Sequence, residues 1–409
     1  MTDAAVSQTA TAPDGPPPAV GDGRATLAWL TAKRDAAPLW HDETTGSFHV
    51  FGHPEMIEIL SDPATFSSDF SAMAPPPDPD VPNFMEASLT VTDPPRHGQL
   101  RKLVSQAFTP RMVDRLRTRI SEVTGELLDA VGDRDRFDLV GDVAYPLPVI
   151  VIAEMLGIPA ADRDLFRHWA ELLLSNSENT QVGTLGEAGY TGDRAEQLRR
   201  MSDYLLEHAR ERRKQPRDDL IGRLVAAEVD GERLTDQQII NFSAFLLLAG
   251  HLTTTLLLGN AMLAFGEHPD QVTAVRDDPG LIPAAIEEVL RYRPPVVFLY
   301  RLTKQPATIG GVEIPAGRIV VCWIMSANRD ERVFTAAERF DVGRQPNPHL
   351  TFSHGIHFCL GAPLARAESA IALRALLDRF ADIRCGTPVY HQKPDIFGVR
   401  ELPLDVRRA

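Results

Sequence analysis

Cysteine is scarce in this chain, with only Cys322, Cys359 and Cys385 among 409 residues. Three scattered cysteines are too few for a disulfide framework or a zinc site. A reducing compartment follows, and with it the expectation of a cytoplasmic protein. Basic residues are outnumbered, 42 Lys and Arg against 56 Asp and Glu, for a net charge of -14. Polyanions are bound by basic surfaces, so this balance argues against a nucleic-acid partner. Residues 1 to about 22 lack a basic start and an apolar core, so they read as neither signal peptide nor anchor. Their Ala, Thr and Pro content predicts a disordered tail. No linker and no repeat at a fixed period divides the remainder, so residues 23–409 are expected to form a single domain, and a monomer. Nor is there a Gly-rich dinucleotide fingerprint.

One long apolar run is present, Ile239 to Phe265. Asn241, Ser243, His251, Thr253, Thr254, Thr255 and Asn260 interrupt it on more than one helical face. A lipid-exposed helix would not carry such groups cheaply, so the run reads as the buried helix of a soluble protein and not as a membrane span.

What the chain does have is one dense stretch, Phe352 to Gly361, in which Gly355 and Gly361 bracket Cys359, with Pro363 and a helix-favouring run just beyond. This reads as a tight loop feeding a helix N-terminus, with Pro363 in the first turn, where its missing N–H costs nothing. Unpaired backbone N–H groups and the helix dipole there favour a thiolate over a thiol. A thiolate in a loop that few side chains obstruct suits one coordination bond to a large planar metal complex. The bland alternative is a buried structural cysteine, which is the reading for Cys322 in its apolar strand.

Elsewhere the signals are individually weaker. Pro38–Trp40 and Phe48–Phe51 flank a turn containing Gly46 and read as a hairpin, and a helix follows from Pro54. Residues 71–88 hold five prolines and read as a long loop. Past Asp93-Pro94-Pro95, His97 and Arg101 share a helix face by their spacing of four. Amphipathic helices are expected at Met112–Val131 and Tyr145–Leu156, and a flexible connection at Ser175–Asp193. Thr235 and Asp236 cap the long helix, on which Ala249, Gly250 and Thr253 fall on one face; helix packing around small residues is the ordinary explanation. Glu288 and Arg291 share a helical turn, as a plain ion pair would. Gly310-Gly311 is a strong two-residue hairpin signal.

Taken together, these motifs resemble the cytochrome P-450 monooxygenases. Phe352, Gly355, His357, Cys359 and Gly361 match that family's haem-ligand signature. The resemblance implies a mainly α fold with small β-sheets and a single haem b between the long central helix and the cysteine loop. Cys359 would be the iron ligand and Phe352 would lie near the ring, while His97, Arg101, Arg301 and His357 would bind the haem propionates. Ala249, Gly250 and Thr253 match the oxygen-binding motif, with Thr253 orienting dioxygen and its protons; Leu252 departs from the acidic residue usual there. Glu288 and Arg291 match a structural motif whose third member is expected to be Arg339 rather than Arg344. Residues 296–299, with Ile396 and Phe397 of the last hairpin, would line the substrate pocket, and Ser175–Asp193 would fall in the access lid.

The implied activity is insertion of one atom of dioxygen, by hydroxylation or epoxidation, into a small apolar organic substrate. The composition suits an actinomycete natural product, a polyketide, macrolide or peptide. The implied partner is a ferredoxin or flavodoxin with its reductase, docking at a basic patch drawn from Arg101, Lys102, Arg111 and Arg366. Two alternatives stay open: a peroxide-dependent haem-thiolate peroxygenase, suggested by Leu252, and a non-catalytic haem sensor.

Overall fold

The computed structural model describes residues 16–73, 82–84, 88–174 and 192–408. Most of the lid connection Ser175–Asp193 and much of the Pro-rich loop lie outside them, as do residues 1–15 of the expected tail. Residues 16–22 are not tail-like: Val20 is buried and accepts the Gly23 N–H through its carbonyl, and the Thr26 hydroxyl donates to the Ala19 carbonyl.

Helices make up the bulk of the chain: α1 (Arg24–Ala36), α2 (His53–Ser61), α3 (Arg96–Ala107), α4 (Pro110–Ala130), α5 (Pro146–Leu156), α6 (Arg163–Leu174), α7 (Asp193–Lys214), α8 (Leu220–Ala226), α9 (Asp236–Glu267), α10 (Pro269–Asp277), α11 (Ile282–Tyr292), α12 (Ile324–Ala327) and α13 (Ala362–Arg379). The central one, α9, starts at a capping box in which Thr235 Oγ1 accepts the Gln238 N–H and Gln238 Oε1 accepts the Thr235 N–H. It is apolar on nearly all sides, as a helix surrounded by others must be. Long enough to cross a membrane, it is instead mostly buried inside the protein, as its interrupting polar residues require. Around it α4, α5, α11 and α13 share one continuous apolar core.

The sheets are small. In the largest, Leu39–Asp42, Ser47–Val50, Ile319–Cys322, Leu299–Thr303 and Phe66–Ser67 lie side by side in that order. Leu39 pairs with Val50 across the predicted Gly46 turn, and Val320 pairs with Arg301, which fixes where that cation emerges. Ala307–Ile309 and Val312–Ile314 form the hairpin expected at Gly310-Gly311.

Beneath the cysteine loop the Glu288–Arg291 pair is fully buried and bidentate. Its third member is Arg344, not Arg339: Arg344 Nε lies 3.1 Å from both Glu288 oxygens. Arg339 contributes only its carbonyl, which accepts from Arg291 and from Arg344 at 3.0 Å each. The resemblance pointed to Arg339, but the chain turns after Phe340, with the Arg344 N–H on the Asp341 carbonyl, and brings the later arginine onto the carboxylate.

Candidate functional site

The Cys359 loop is set by backbone contacts. The Cys359 N–H donates to the Phe352 carbonyl at 2.9 Å. Gly355 has φ +67, and a β-carbon there would sit 2.6 Å from the Leu60 carbonyl oxygen at the end of α2, so only glycine fits. The start of α13 behaves partly as its sequence predicts. Backbone N–H groups of Gly361 and Ala362 act on the sulfur and favour its charged form, as do Arg101 and Arg366, but burial pushes the thiol up and outweighs them. The helix end alone therefore does not outweigh burial at this thiol; a coordinated metal cation would favour its deprotonated form.

Four basic side chains gather beside this loop. The His97 and His357 rings lie 4.5 Å apart, and Arg101 and Arg301 are close enough to act on His97 and His357 respectively. Burial lowers the pKa of all four, and mutual repulsion adds to it for the histidines, with His357 falling to about 4. His97 Nε2 is buried with no hydrogen-bond partner among the described residues. Arg301, itself buried, donates to the Tyr300 carbonyl at 2.7 Å. The carboxylate acting on this group, Asp93, is already bonded to Ser67, to the Ser68 N–H and to Lys304. His357 is more committed than its sequence suggests, with Nε2 3.1 Å from Ser68 Oγ and Nδ1 3.1 Å from the Leu89 carbonyl. Its Nδ1 proton serves Leu89 and Nε2 accepts from Ser68, so the neutral ring has no proton left to give an anion and would donate to one only on becoming protonated.

On α9, every residue from Leu246 to Phe265 is buried except Ala249, Gly250 and Thr253. The predicted trio is thus the uncovered part of an otherwise enclosed helix. The Thr253 hydroxyl donates to the Ala249 carbonyl at 2.6 Å. Gly250 differs from expectation in one respect: a β-carbon on it would lie 2.9 Å from Ile152 Cδ1, so its missing side chain is filled by α5. Leu252 is buried in a small apolar cluster with Leu256 and Ile396. His251 is fully buried against Tyr145, ring centroids 4.1 Å apart, and burial drives its pKa down to about 3.

Two residues expected in the pocket are core instead. Phe298 packs edge-on against Trp323 at 4.9 Å, and Phe397 fills the space above Gly23; within 296–299, only Val296 and Leu299 are left partly uncovered. Ile396 remains joined to Val296 by a β-bridge. Of the basic patch, Lys102 and Arg111 are exposed, but Arg366 is clamped by Glu287 and unavailable to a partner's acids.

Comparison with known proteins decides what this arrangement belongs to. Cyclomarin C epoxidase of Salinispora arenicola (strain CNS-205) is 45% identical over 387 residues, spanning 94% of this chain and 97% of that protein. Erythromycin C-12 hydroxylase of Saccharopolyspora erythraea is 42% identical over 392 residues, 95% of this chain and 96% of its own. The chain belongs to the cytochrome P-450 family. The family's sequence model matches residues 280–392, and the ligand-free structure of cytochrome P-450 TbtJ1, 43% identical, superimposes over 95% of this chain and 99% of that one with a TM-score of 0.85. This cytochrome P-450 is a monooxygenase, and its family implies haem iron as cofactor. The residues present fit that group: an anion-seeking cluster with an orphaned imidazole nitrogen suits its carboxylates, and a half-buried sulfur free of side-chain bonds suits its iron. Sequence reasoning missed Glu287, His349 and Ser68, which no short motif marks; the doubled Glu287-Glu288 was the one available signal.

Proposed function

We propose that this cytochrome P-450 carries haem b on Cys359, with the carboxylates held by His97, Arg101 and Arg301 and flanked by His357 and Phe352. The observation that carries this reading is the cluster of four basic side chains beside Cys359, short of negative charge and with His97 Nε2 bare. Haem bound there supplies the reductive activation of dioxygen.

The chain's own residues shape what reaches it. Thr253 Oγ1, having given its proton to Ala249, can accept from a donor entering the opening on α9. Leu252 cannot transfer a proton, and His251 is turned away on the Tyr145 side, so delivery runs past Thr253 through water organised with the substrate. Ala249 keeps that face low enough for a flat ligand. Lys102 and Arg111 offer the acceptor surface for an acidic ferredoxin or flavodoxin, reduced by its reductase. We place the enzyme, as a monomer, in the cytoplasm, where its free cysteines stay reduced.

The substrate class is an apolar natural product of macrolide or peptide type. The support is the similarity to enzymes named for cyclomarin C and erythromycin, and an α9 face whose exposed groups are nearly all apolar. Two measurements test the reading. The reduced carbon monoxide complex should show the red-shifted Soret band of thiolate ligation, lost in Cys359→Ser and kept in Cys322→Ser and Cys385→Ser; a band that survives Cys359→Ser sinks the assignment. Binding spectra against macrolides, cyclic peptides and terpenoids should then respond to the first two classes. A second reading, use of peroxide without a redox partner, is favoured by the apolar setting of Leu252, and product formed from peroxide but not from reduced ferredoxin would establish it.

A further inference from the structure

Glu287 sits on α11 beside the buried Glu288 but serves a different neighbour. Its two oxygens accept from Arg366 Nε and from a terminal Arg366 nitrogen at 2.7 Å each, and one of them also meets His349 Nε2 at 3.2 Å. The Arg366 guanidinium lies 4.6 Å from the centre of the Phe352 ring, and the His349 ring is 5.9 Å from it. Phe352 is therefore bracketed by two groups tied to one carboxylate. The same Phe352 accepts the Cys359 N–H through its carbonyl, and Arg366 is one of the two cations whose charge acts on Cys359.

Nothing in the reaction proposed above uses Glu287. A partly exposed ion pair usually adds only about 0–1 kcal/mol of stability, so its bidentate form and its stacking against the ligand loop call for another explanation. We infer that Glu287 is a positioning residue for the sulfur ligand: by cancelling the Arg366 charge and fixing the guanidinium over Phe352, it sets the electric field at Cys359. The inference rests on Cys359 being the iron ligand.

The field has a sign, which a mere brace does not. Reduction adds one negative charge to the iron–sulfur unit. Glu287→Gln leaves Arg366 as an unbalanced cation beside it and favours the reduced form. Arg366→Gln leaves Glu287 as an unbalanced anion and favours the oxidised form. Removing both charges restores the balance. If the pair only braced the loop, both single substitutions would loosen it in the same way and the double variant would be no better.

The experiment is spectroelectrochemical titration of the haem-loaded wild type, Glu287→Gln, Arg366→Gln, Arg366→Lys and the double Gln variant, with the carbon monoxide Soret band recorded for each. Glu287→Gln should raise the reduction equilibrium constant about three- to tenfold and Arg366→Gln lower it by a similar factor, the scale of one charge near the sulfur at a protein-like dielectric. Tenfold is 59 mV for a one-electron couple. The double variant and Arg366→Lys should stay within about twofold of wild type. Shifts of the same sign, or none, with the thiolate band intact would overturn the role of Glu287 alone. If Glu287→Gln fails to take up haem, Arg366→Gln against Arg366→Lys decides, and equal potentials for these two overturn the inference. Absence of the thiolate band in the wild type would overturn the ligand assignment instead.

Discussion

Around Cys359, the side chains that matter are held by polar bonds, several of them to residues far away in the chain. Glu287 reaches Arg366 and His349, Glu288 reaches Arg291, Arg344 and Asn347, and the Cys359 amide reaches Phe352. The uncovered face of α9 is built otherwise. Ala249 and Gly250 bring no polar side chain, Thr253 bonds only its own helix, and Leu252, Leu256 and Ile396 meet through apolar contact. Polar bonds demand particular partners in particular places, since a buried group left unpaired is costly. Apolar contacts accept many residues of similar volume. The cysteine side is thus the fixed half of the enzyme and the α9 side the adaptable half.

The strongest test of the fixed half is to remove its anion-binding cations. Each charge-assisted bond contributes about 1.5–3 kcal/mol, so Arg101→Ala with Arg301→Ala should weaken haem binding by several kcal/mol and yield mostly haem-free protein by absorbance ratio. Full occupancy in that double variant would contradict the placement of the carboxylates. Next in size is Arg291→Ala, which strands the Glu288 carboxylate inside the protein. Breaking a buried pair costs roughly 3–5 kcal/mol, and the expected result in a denaturant titration is a fold that is marginal or lost. Arg339→Ala should cost far less than Arg344→Ala, because only the latter touches Glu288 with its side chain.

Two glutamates, one half-buried and one fully buried, carry the comparison into pH. Arg366 and His349 overcome the burial of Glu287 and hold its pKa down to about 2, whereas Glu368, buried on α13 with one oxygen unpartnered, is pushed up to about 8 by burial alone. The Glu287 contribution is present above its unfolded value near 4.5 and is lost as pH falls towards 2. For Glu368 the folded protein keeps a proton that the unfolded chain releases. Its penalty is therefore absent below about 4.5, grows as pH rises to 8, and is constant beyond. Glu368→Gln, which mimics the protonated acid, should leave stability unchanged near pH 4.5 and raise it by up to a few kcal/mol at pH 9. Melting curves at the two pH values check this, and an equal effect at both would mean that the acid has found a partner.

The adaptable half should respond more mildly. Thr253→Ala should lower product formed per electron consumed by roughly tenfold, with peroxide released instead, as expected for loss of a group that guides protons. Leu252→Glu should not restore a proton relay, because the new carboxylate would face Leu256 and Ile396; it should lower stability and leave the peroxide yield as it was. Improved coupling in Leu252→Glu would show that this side chain reaches the opening after all. Smallest of all is Gly250→Ala. Gaining about 1 kcal/mol of helix propensity against a small shift of Ile152, it should leave melting temperature and haem content nearly unchanged.

This division also explains what could be read from the sequence. The cysteine loop, the His97–Arg101 face and the capped α9 were legible because each depends on a residue type with little tolerance, a glycine against the Leu60 carbonyl or a threonine at a helix cap. Choosing between Arg339 and Arg344 needed the path of the chain after Phe340, which no local pattern encodes. Assigning Phe298 and Phe397 to the pocket failed because an aromatic ring suits a pocket wall and a core equally well. Only the tertiary contacts with Trp323 and Gly23 distinguish the two.

Asn260 gives the design a temporal side. Its buried amide donates to the Arg293 and Phe397 carbonyls at 3.0 and 2.9 Å, while Phe397 and Asp395 exchange backbone bonds with Pro295 and Val297. These bonds stitch α9 to a hairpin more than a hundred residues later in the chain. Contacts so distant in sequence form only after a large loop has closed. During synthesis on the ribosome, α9 must therefore wait for that later hairpin before the Asn260 amide finds its partners. The core around α9 is thus completed late, by residues made long after the helix itself.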